Sequence, residues 1–189
     1  MSQKIINILK ETGAFLEGHF LLSSGKHSGG YVQCAKVLRF PDKAEKVLKP
    51  VVEQLKNVKI DKVIGPAMGG VVVSYEVGRQ LGKESLFTER KDGVMELRRG
   101  FEIVPGDKVI IAEDVVTTGK STIETKEALE KLGAEVIGVA CIVKRVKEDI
   151  GMPIYCAVDL NIEVYDSEDC PICSTGQELV KPGSRDMKK

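Results

Sequence analysis

The stretch Val109–Thr122 reads VIIAEDVVTTGKST and carries the clearest structural signal in this 189-residue chain. It begins as an apolar strand, passes through the acids Glu113 and Asp114, and turns at Gly119 into a helix. Helix amino termini carry unpaired N–H groups and a partial positive charge, so a glycine-bearing turn here suits a phosphate monoester. Three hydroxyl residues add further donors: Thr117, Thr118 and Ser121.

The two acids stand at the end of the strand, one turn from the proposed phosphate loop. Carboxylates at such a position can accept hydrogen bonds from both vicinal hydroxyls of a ribose. The letters GKST also invite comparison with the P-loop GxxxxGK[ST], but that pattern needs glycine five residues before Gly119, where this chain has Asp114. A plain capped helix after a buried strand, with both acids solvated, is the other interpretation that the pattern leaves open.

Strands and helices alternate through the middle of the chain. Buried strands are predicted for four apolar runs: 62–65, 85–88, 108–112 and 136–143. Helices are predicted for three segments: 41–55, 69–81 and 121–132. This alternation implies an α/β fold, a Rossmann-like and mostly parallel sheet flanked by helices. Ligands bind such sheets outside the carboxyl ends of the strands, which points to the loops 66–70, 90–99 and 113–121.

The two ends of the chain are less regular. A first helix is predicted from Ser2 to near Gly13, and Pro50 is expected to kink or split the helix 41–55. Short strands are predicted for three further segments: 19–22, 31–37 and 157–164.

Charge and composition exclude several classes of protein. Lys and Arg number 28, as do Asp and Glu, so the net charge is zero and a nucleic-acid partner is not expected. No apolar run approaches the ~18 residues of a membrane span, so no membrane association is expected either. The first residues lack the apolar core of a secretory signal, and we therefore expect a single cytoplasmic domain over residues 1–189.

The chain contains five cysteines: Cys34, Cys141, Cys156, Cys170 and Cys173. An odd number in a chain of this length argues against a secreted disulfide framework. Cys170 and Cys173 form a CxxC pair, for which zinc would require two more ligands. The only histidines, His19 and His27, are far away in sequence, so we predict no protein metal site and interpret the pair as structural, a metal or redox role being the alternative.

The stretch 109–122 resembles the phosphoribosyl-pyrophosphate (PRPP) signature of type I phosphoribosyltransferases: an apolar strand, two acids, two residues and Thr-Thr-Gly-x-Ser/Thr. The resemblance implies the fold of that family, with Glu113 and Asp114 on the ribose hydroxyls and Asp114 among the catalytic residues. It also implies that the following seven residues wrap the 5′-phosphate: Val115, Val116, Thr117, Thr118, Gly119, Lys120 and Ser121.

Other segments are similar to orotate phosphoribosyltransferases in particular. They occur in order at 23–31 (SSGKHSGGY), 65–70 (GPAMGG), 97–101 (LRRGF) and 180–185 (VKPGSR), and so cover nearly the whole chain. The implied reaction transfers the phosphoribosyl group of PRPP to N1 of orotate, giving orotidine 5′-monophosphate and pyrophosphate in pyrimidine synthesis. The resemblance also implies Mg²⁺ carried mainly by PRPP, a homodimer with shared active sites, and a small hood over the base made by residues 1–40 and the C-terminal tail.

The same resemblance assigns roles to five basic or polar side chains. Arg145, Thr117 and Lys26 are expected to contact orotate, whose carboxylate suits the planar fork of an arginine. Arg90 and Lys91 are expected to be catalytic by reaching the pyrophosphate, in this family from the neighbouring subunit. The segment 90–96 reads RKDGVME where the family commonly has RKxxKxH, so no histidine general acid is assigned. The surrounding loop is expected to act as a lid, an ordinary charged hairpin being the alternative interpretation.

Two alternatives stand beside this prediction. A purine-type phosphoribosyltransferase would share the loop 113–121 but would favour stacking aromatic residues, which are only 5% of this chain. A non-catalytic PRPP-sensing regulator would keep the fold, but a DNA-binding one would need an additional basic helix-turn-helix module, which the length and zero net charge of this chain do not favour.

Overall fold

Two β-sheets organise residues 2–182, the part of the chain that the computed structural model describes. The strands are β1 (Phe15–Leu21), β2 (His27–Val32), β3 (Lys62–Pro66), β4 (Glu84–Lys91), β5 (Val94–Leu97), β6 (Lys108–Val116), β7 (Glu135–Lys144), β8 (Ile154–Asp159), β9 (Val164–Tyr165) and β10 (Leu179–Val180). The helices are α1 (Ser2–Glu11), α2 (Ala35–Leu38), α3 (Pro41–Leu55), α4 (Gly69–Leu81) and α5 (Lys120–Glu130). Residues 183–185 of the tail segment that contributes to the resemblance lie outside the described residues.

The larger sheet has six strands in the order β5-β4-β3-β6-β7-β8. All neighbours in it are parallel except β4 and β5, which form an antiparallel hairpin at one edge. The connections β3-α4-β4 and β6-α5-β7 are strand–helix–strand units, as expected for parallel pairing. The predicted α/β fold with a mostly parallel sheet is confirmed.

Apolar side chains cover both faces of this sheet. Adjacent residues of one strand face opposite ways, so Ile110 belongs to the core cluster that includes residues of α1, α3 and α4, whereas Ile111 belongs to the cluster that includes Leu129 of α5. Both isoleucines are completely buried, and each contributes on the order of 2 kcal/mol through lost contact with water. No helix within the described residues is long and apolar enough to cross a membrane.

The smaller sheet joins the two ends of the chain. Its order is β10-β1-β2-β9, with β1 and β2 from the N-terminal region and β9 and β10 from the C-terminal region. The contact between β1 and β10 is a parallel pair of two residues, His19 with Leu179 and Phe20 with Val180. We refer to this four-stranded sheet and the segment 166–178 that crosses it as the hood.

Several predicted boundaries are wrong. The strand expected at 31–37 ends at Val32 and is followed by the short helix α2, which buries Val37 and Leu38 together. The strand expected at 157–164 is two strands in different sheets, β8 and β9. Helix α3 continues through Pro50 without being split, since its apolar face packs against the core on both sides of that residue.

The segment expected as a loop at 90–99 is mostly a hairpin. Strand β4 extends to Lys91 and turns at Asp92 and Gly93, whose φ angles are 51° and 85°. Positive φ at both central residues is typical of the tight turns that Asp-Gly favours between antiparallel strands. At the base of the hairpin, Arg98 and Arg99 both form ion pairs with Glu89.

The expectation that the histidines lie too far from the CxxC pair is wrong. His19 in β1 and His27 in β2 are cross-strand neighbours, and the chain returns over them so that Cys170 and Cys173 contact both rings. The distance in sequence argued against the two histidines as ligands because the sequence does not reveal the path of the C-terminal segment.

Candidate active site

The acids Glu113 and Asp114 lie in strand β6 at the carboxyl edge of the large sheet, where the ends of β3 and β7 also meet. They belong to the strand rather than to the loop after it, so their side chains leave opposite faces of the sheet. Strand geometry therefore gives the two carboxylates different surroundings.

Glu113 is buried against the first turn of α5. The Ser121 hydroxyl donates a hydrogen bond of 2.6 Å to its Oε1. Burial raises the pKa of Glu113 to about 7, and the negative charge of Asp114 adds to this rise. Hydrogen bonds from Ser121 and Thr122 act in the opposite direction. Glu113 is therefore a carboxyl group that can change its protonation state near neutral pH.

Asp114 lies directly against the start of α4. A Cβ atom added to Gly69 would stand 2.7 Å from Cγ of Asp114 and 2.8 Å from both of its carboxylate oxygens. The backbone N–H of Val115 donates a 2.9 Å hydrogen bond to Oδ1, yet burial raises the pKa of Asp114. Only glycine at position 69 lets this carboxylate approach the helix terminus so closely.

The turn between β3 and α4 is packed equally tightly. A Cβ atom on Gly65 would lie 2.0 Å from the carbonyl oxygen of Gly70, and one on Gly70 would lie 2.5 Å from that of Ala112. The peptide bond between Ala67 and Met68 is cis, and the Met68 side chain is exposed. Gly65, Gly69 and Gly70 therefore allow a tight backbone turn directly beside Asp114.

The loop after Asp114 ends at the helix cap Gly119, whose φ is 72°. Thr117 and Thr118 are exposed, and the Thr118 hydroxyl accepts a 3.4 Å hydrogen bond from the N–H of Lys120. The amides of the first turn of α5 have no partners within the helix, by the geometry of any α-helix. Exposed amides and hydroxyls of this kind are what an anion at a helix terminus requires.

The loop opens into a cavity of about 830 Å³ between the hood and the edge of the sheet. Residues of both parts line it, among them Ser23, Tyr31, Asp114, Thr117, Arg145 and Lys181. Its size is in the usual range of roughly 300–1,000 Å³ for small-molecule sites.

Arg145 follows β7 and is held by its main chain, since its N–H donates a 2.9 Å hydrogen bond to the carbonyl of Val116. Its side-chain Nε is buried, and no residue of the described chain accepts a hydrogen bond from it. Burial lowers the pKa of the guanidinium group. A buried, unpartnered donor on the wall of a cavity is suited to an anionic or carbonyl ligand.

Comparison with known proteins identifies the family. The family described as "Phosphoribosyl transferase domain" matches residues 35–169. A curated orotate phosphoribosyltransferase of Caldicellulosiruptor saccharolyticus is 51% identical over 185 residues, which are 97% of this chain and 97% of that protein. This chain belongs to the orotate phosphoribosyltransferase family. The prediction made from the segments at 23–31, 65–70 and 109–122 is thereby confirmed.

Solved structures agree on the fold of this orotate phosphoribosyltransferase family member. An orotate phosphoribosyltransferase from Aeropyrum pernix superposes with a TM-score of 0.69 at 25% identity, covering 82% of this chain and 93% of that one. An adenine phosphoribosyltransferase from Rhodothermus marinus reaches a TM-score of 0.57 at 20% identity, covering 69% of this chain and 86% of that one. The second likeness concerns the fold alone.

The predicted orotate phosphoribosyltransferase residues do not all meet in one place. Asp114, Thr117, Thr118 and Arg145 share the cavity, with Glu113 behind them. Val116 is buried in the core, so only its backbone is available to a ligand, whereas the partly buried Val115 also lines the cavity. The exposed Lys120 points towards Glu124, and the Ser121 hydroxyl is directed to Glu113 rather than to the phosphate loop.

Three predicted residues lie away from the cavity wall. Lys26 forms an exposed ion pair of 3.0 Å with Asp166. Arg90 pairs with Glu124, and Lys91 is at the exposed tip of the β4–β5 hairpin. The cavity itself has two further lysines to which the sequence analysis gave no role, Lys147 and Lys181. The signal for Lys181 was its place in the segment 180–185, which contributes to the resemblance.

Proposed function

We propose that this chain transfers the 5-phosphoribosyl group of PRPP to N1 of orotate, forming orotidine 5′-monophosphate and pyrophosphate. The observation that most directly supports this proposal is the cavity, which has Asp114 and the loop 117–121 on one side and the unpartnered Nε of Arg145 on the other. The name of the 51% identical relative supports orotate as the base.

The sugar phosphate is bound at the edge of β6 in this proposal. Asp114 and Glu113 accept hydrogen bonds from the ribose hydroxyls, and the amides of 117–121 hold the 5′-phosphate. The pyrophosphate is assigned to the backbone turn at 66–70, which packs directly beside Asp114.

The base is bound between the sheet edge and the hood. Arg145 donates to the orotate carboxylate or a ring carbonyl, which supplies the partner that its buried Nε lacks. Thr117 donates from the opposite side, and Lys181 adds positive charge from the tail. Lys26 joins them only if its ion pair with Asp166 opens when the hood closes over the base.

The reaction requires positioning and charge stabilisation rather than a protein nucleophile. N1 of orotate displaces pyrophosphate at C1′ with inversion, and the transition state resembles a ribosyl oxocarbenium ion. Asp114 holds the sugar hydroxyls while C1′ moves between the two partners. Closure of the site excludes water, which would otherwise hydrolyse the activated sugar.

Arg90 and Lys91 take part from a second subunit in this proposal. Both lie on the exposed hairpin and outside the cavity of their own chain, which is the placement expected if they complete the site of a neighbour. A homodimer with shared active sites follows from this assignment. A cytoplasmic location is part of the same proposal, since all five cysteines are free, as is usual for thiols in that compartment.

Magnesium belongs to the proposal through its substrate. Mg²⁺ prefers oxygen ligands, keeps several waters and commonly joins one or two carboxylates to phosphate oxygens. The donor chemistry fits, because Asp114 is a carboxylate beside the turn at 66–70 to which the pyrophosphate is assigned. When bound with PRPP, Mg²⁺ neutralises charge on the leaving group.

The direct test follows the loss of orotate absorbance on addition of PRPP and Mg²⁺. We expect turnover with orotate and none with adenine, guanine or hypoxanthine, and an Asp114→Asn variant should lose at least about 100-fold in kcat/KM. Turnover with a purine alone would assign the purine-type activity instead. PRPP binding without turnover of any base would support the regulator.

A further inference from the structure

Four metal-ligating side chains meet inside the hood, away from the cavity. They are His19, His27, Cys170 and Cys173, and one ligand atom from each lies within 4.8 Å of the other three. His19, His27 and Cys170 are 2%, 6% and 6% exposed, whereas Cys173 reaches the surface. The reaction proposed above uses none of these four side chains.

The distances in this cluster are those of a tetrahedral site. Nε2 of His19 lies 3.0 Å from Nδ1 of His27, and it lies 3.5 Å from Sγ of Cys170. Sγ of Cys173 is 3.7 Å from Nε2 of His19 and 3.3 Å from Nδ1 of His27. Zinc bonds of about 2.0 Å to nitrogen and about 2.3 Å to sulfur give tetrahedral edges of about 3.3 Å between nitrogens and about 3.5 Å between nitrogen and sulfur.

The other ring nitrogen of His19, Nδ1, already forms a hydrogen bond outside the cluster. Its Nδ1 lies 3.1 Å from the carbonyl oxygen of Gln177, which can only accept, so Nδ1 carries the proton and donates it. In the neutral ring Nε2 then has a free lone pair directed at the cluster. Histidine ligands of metals usually have such a carbonyl or carboxylate partner on the second nitrogen.

We propose that His19, His27, Cys170 and Cys173 bind one Zn²⁺ as a structural site. Two histidine nitrogens and two thiolates form a complete tetrahedral set, which leaves no open position for a substrate or a reactive water. The two thiol protons are released on binding, so that the Zn(Cys)₂(His)₂ centre is neutral.

The position of the site explains what the metal does. In the described segment 166–182, Cys170 is the one buried residue, so this part of the chain has little apolar surface with which to hold itself in place. Beyond it, β10 has only two residues, Leu179 and Val180, and both are exposed. Zinc therefore anchors the segment to β1 and β2, and through it orients Lys181 at the cavity wall.

A disulfide between the two cysteines explains less of the arrangement. Cys170 and Cys173 are both free, and a disulfide would consume the two thiols without giving the two histidines a role. It would also leave both imidazoles buried beside each other, with one short contact between their nitrogens. A shared cation accounts for all four side chains at once.

The proposal is tested by metal analysis of the full chain, purified without a metal-binding tag from zinc-supplemented medium. We expect one zinc ion per chain by mass spectrometry after dialysis. A Cys170→Ser/Cys173→Ser double variant should retain less than a tenth of it, and Cys156→Ser, a partly buried cysteine of the large sheet, should retain it all. Zinc that persists in the double variant would overturn the assignment.

A second measurement needs no variant and so does not depend on whether a mutant folds. The metal is removed by chelation, and Co²⁺ alone is titrated into the wild-type chain. Tetrahedral cobalt with two thiolate ligands gives intense visible bands and a near-ultraviolet charge-transfer band, which added Zn²⁺ should abolish. Failure of the wild-type chain to take up either ion, whether its thiols are then free or joined as a disulfide, would overturn the proposal. Neither measurement depends on orotate or PRPP.

Discussion

The hydroxyl of Ser121 donates a 2.6 Å hydrogen bond to Oε1 of Glu113, and this bond ties the first turn of α5 to strand β6. The bond joins the phosphate loop to one of the two acids proposed to hold the ribose. Because Glu113 is also buried, its protonation connects the stability of the protein with the pH at which the site operates.

Glu113 should make the unliganded protein less stable as the pH rises. Its ordinary pKa of 4.5 becomes about 7 in the fold, so between these values the folded chain binds more protons than the unfolded chain. The resulting stabilisation of the folded chain is complete below the ordinary pKa of 4.5 and is lost as the pH rises through the folded-state pKa of about 7. We expect this group to lower the free energy of unfolding by up to roughly 3 kcal/mol across that window.

Urea unfolding of wild type and Glu113→Gln, at several values between about pH 5 and about pH 8, measures this contribution. The variant should lack this part of the slope and be the more stable protein at the alkaline end. Glu130→Gln, which changes an exposed acid of the same helix α5, should keep the wild-type slope. Equal slopes in wild type and Glu113→Gln would show that Glu113 is not the group responsible.

Replacing Gly69 by alanine should damage PRPP use while leaving the fold intact. The added Cβ would meet the Asp114 carboxylate at 2.7 Å and push it away from the start of α4. A displacement of about 1 Å in a reacting constellation can cost about 100-fold, which is the loss in kcat/KM that we expect. Val72→Ala, on the exposed side of the same helix, is the matched control and should change kcat/KM less than twofold. Full activity of Gly69→Ala would contradict the proposed role of Asp114.

Arg145→Lys should weaken orotate binding selectively. A lysine cannot reproduce the planar fork, so we expect the KM for orotate to rise between about tenfold and a hundredfold with little change in the KM for PRPP. The control variant is Lys144→Ala, which changes the neighbouring lysine that pairs with Asp159 at 2.8 Å. Its KM values for orotate and for PRPP should both remain unchanged. A rise in the PRPP constant alone would move Arg145 from the base to the sugar phosphate.

Two inactive variants should restore each other if Arg90 acts in the partner's site. Arg90→Ala mixed with Asp114→Ala gives heterodimers in which one site has lost both groups and the other is intact. Random mixing of equal amounts makes half the dimers heterodimers, so about a quarter of wild-type activity is expected. Arg90→Ala mixed with Arg145→Ala, which removes the guanidinium group altogether, serves as a second pair with the same logic. No recovery in either mixture, with dimers verified by their mass in solution, would contradict shared sites.

Much of the fold could be predicted from local sequence. Sequence patterns predicted the strands β3, β6 and β7 and the helices α4 and α5 within a few residues. A buried parallel strand and a capped helix can each be recognised from a short stretch of sequence. The β4–β5 hairpin, for which Asp92 and Gly93 are a strong turn signal, was given only as the alternative to a lid loop, because the resemblance and the surrounding charges favoured the loop.

The segment proposed to bind the sugar phosphate is contiguous in sequence, and this is why it could be predicted from the sequence alone. Glu113, Asp114 and the loop to Ser121 form one strand–turn–helix unit whose geometry follows from its own residues. Tertiary structure decided what this unit faces: Gly69 beneath Asp114, and Arg145 across the cavity. The meeting of His19 with Cys170, 151 positions further along the chain, depended wholly on tertiary structure. Strand pairing and the path of the returning chain bring those residues together, and no local pattern of the sequence predicts either of them.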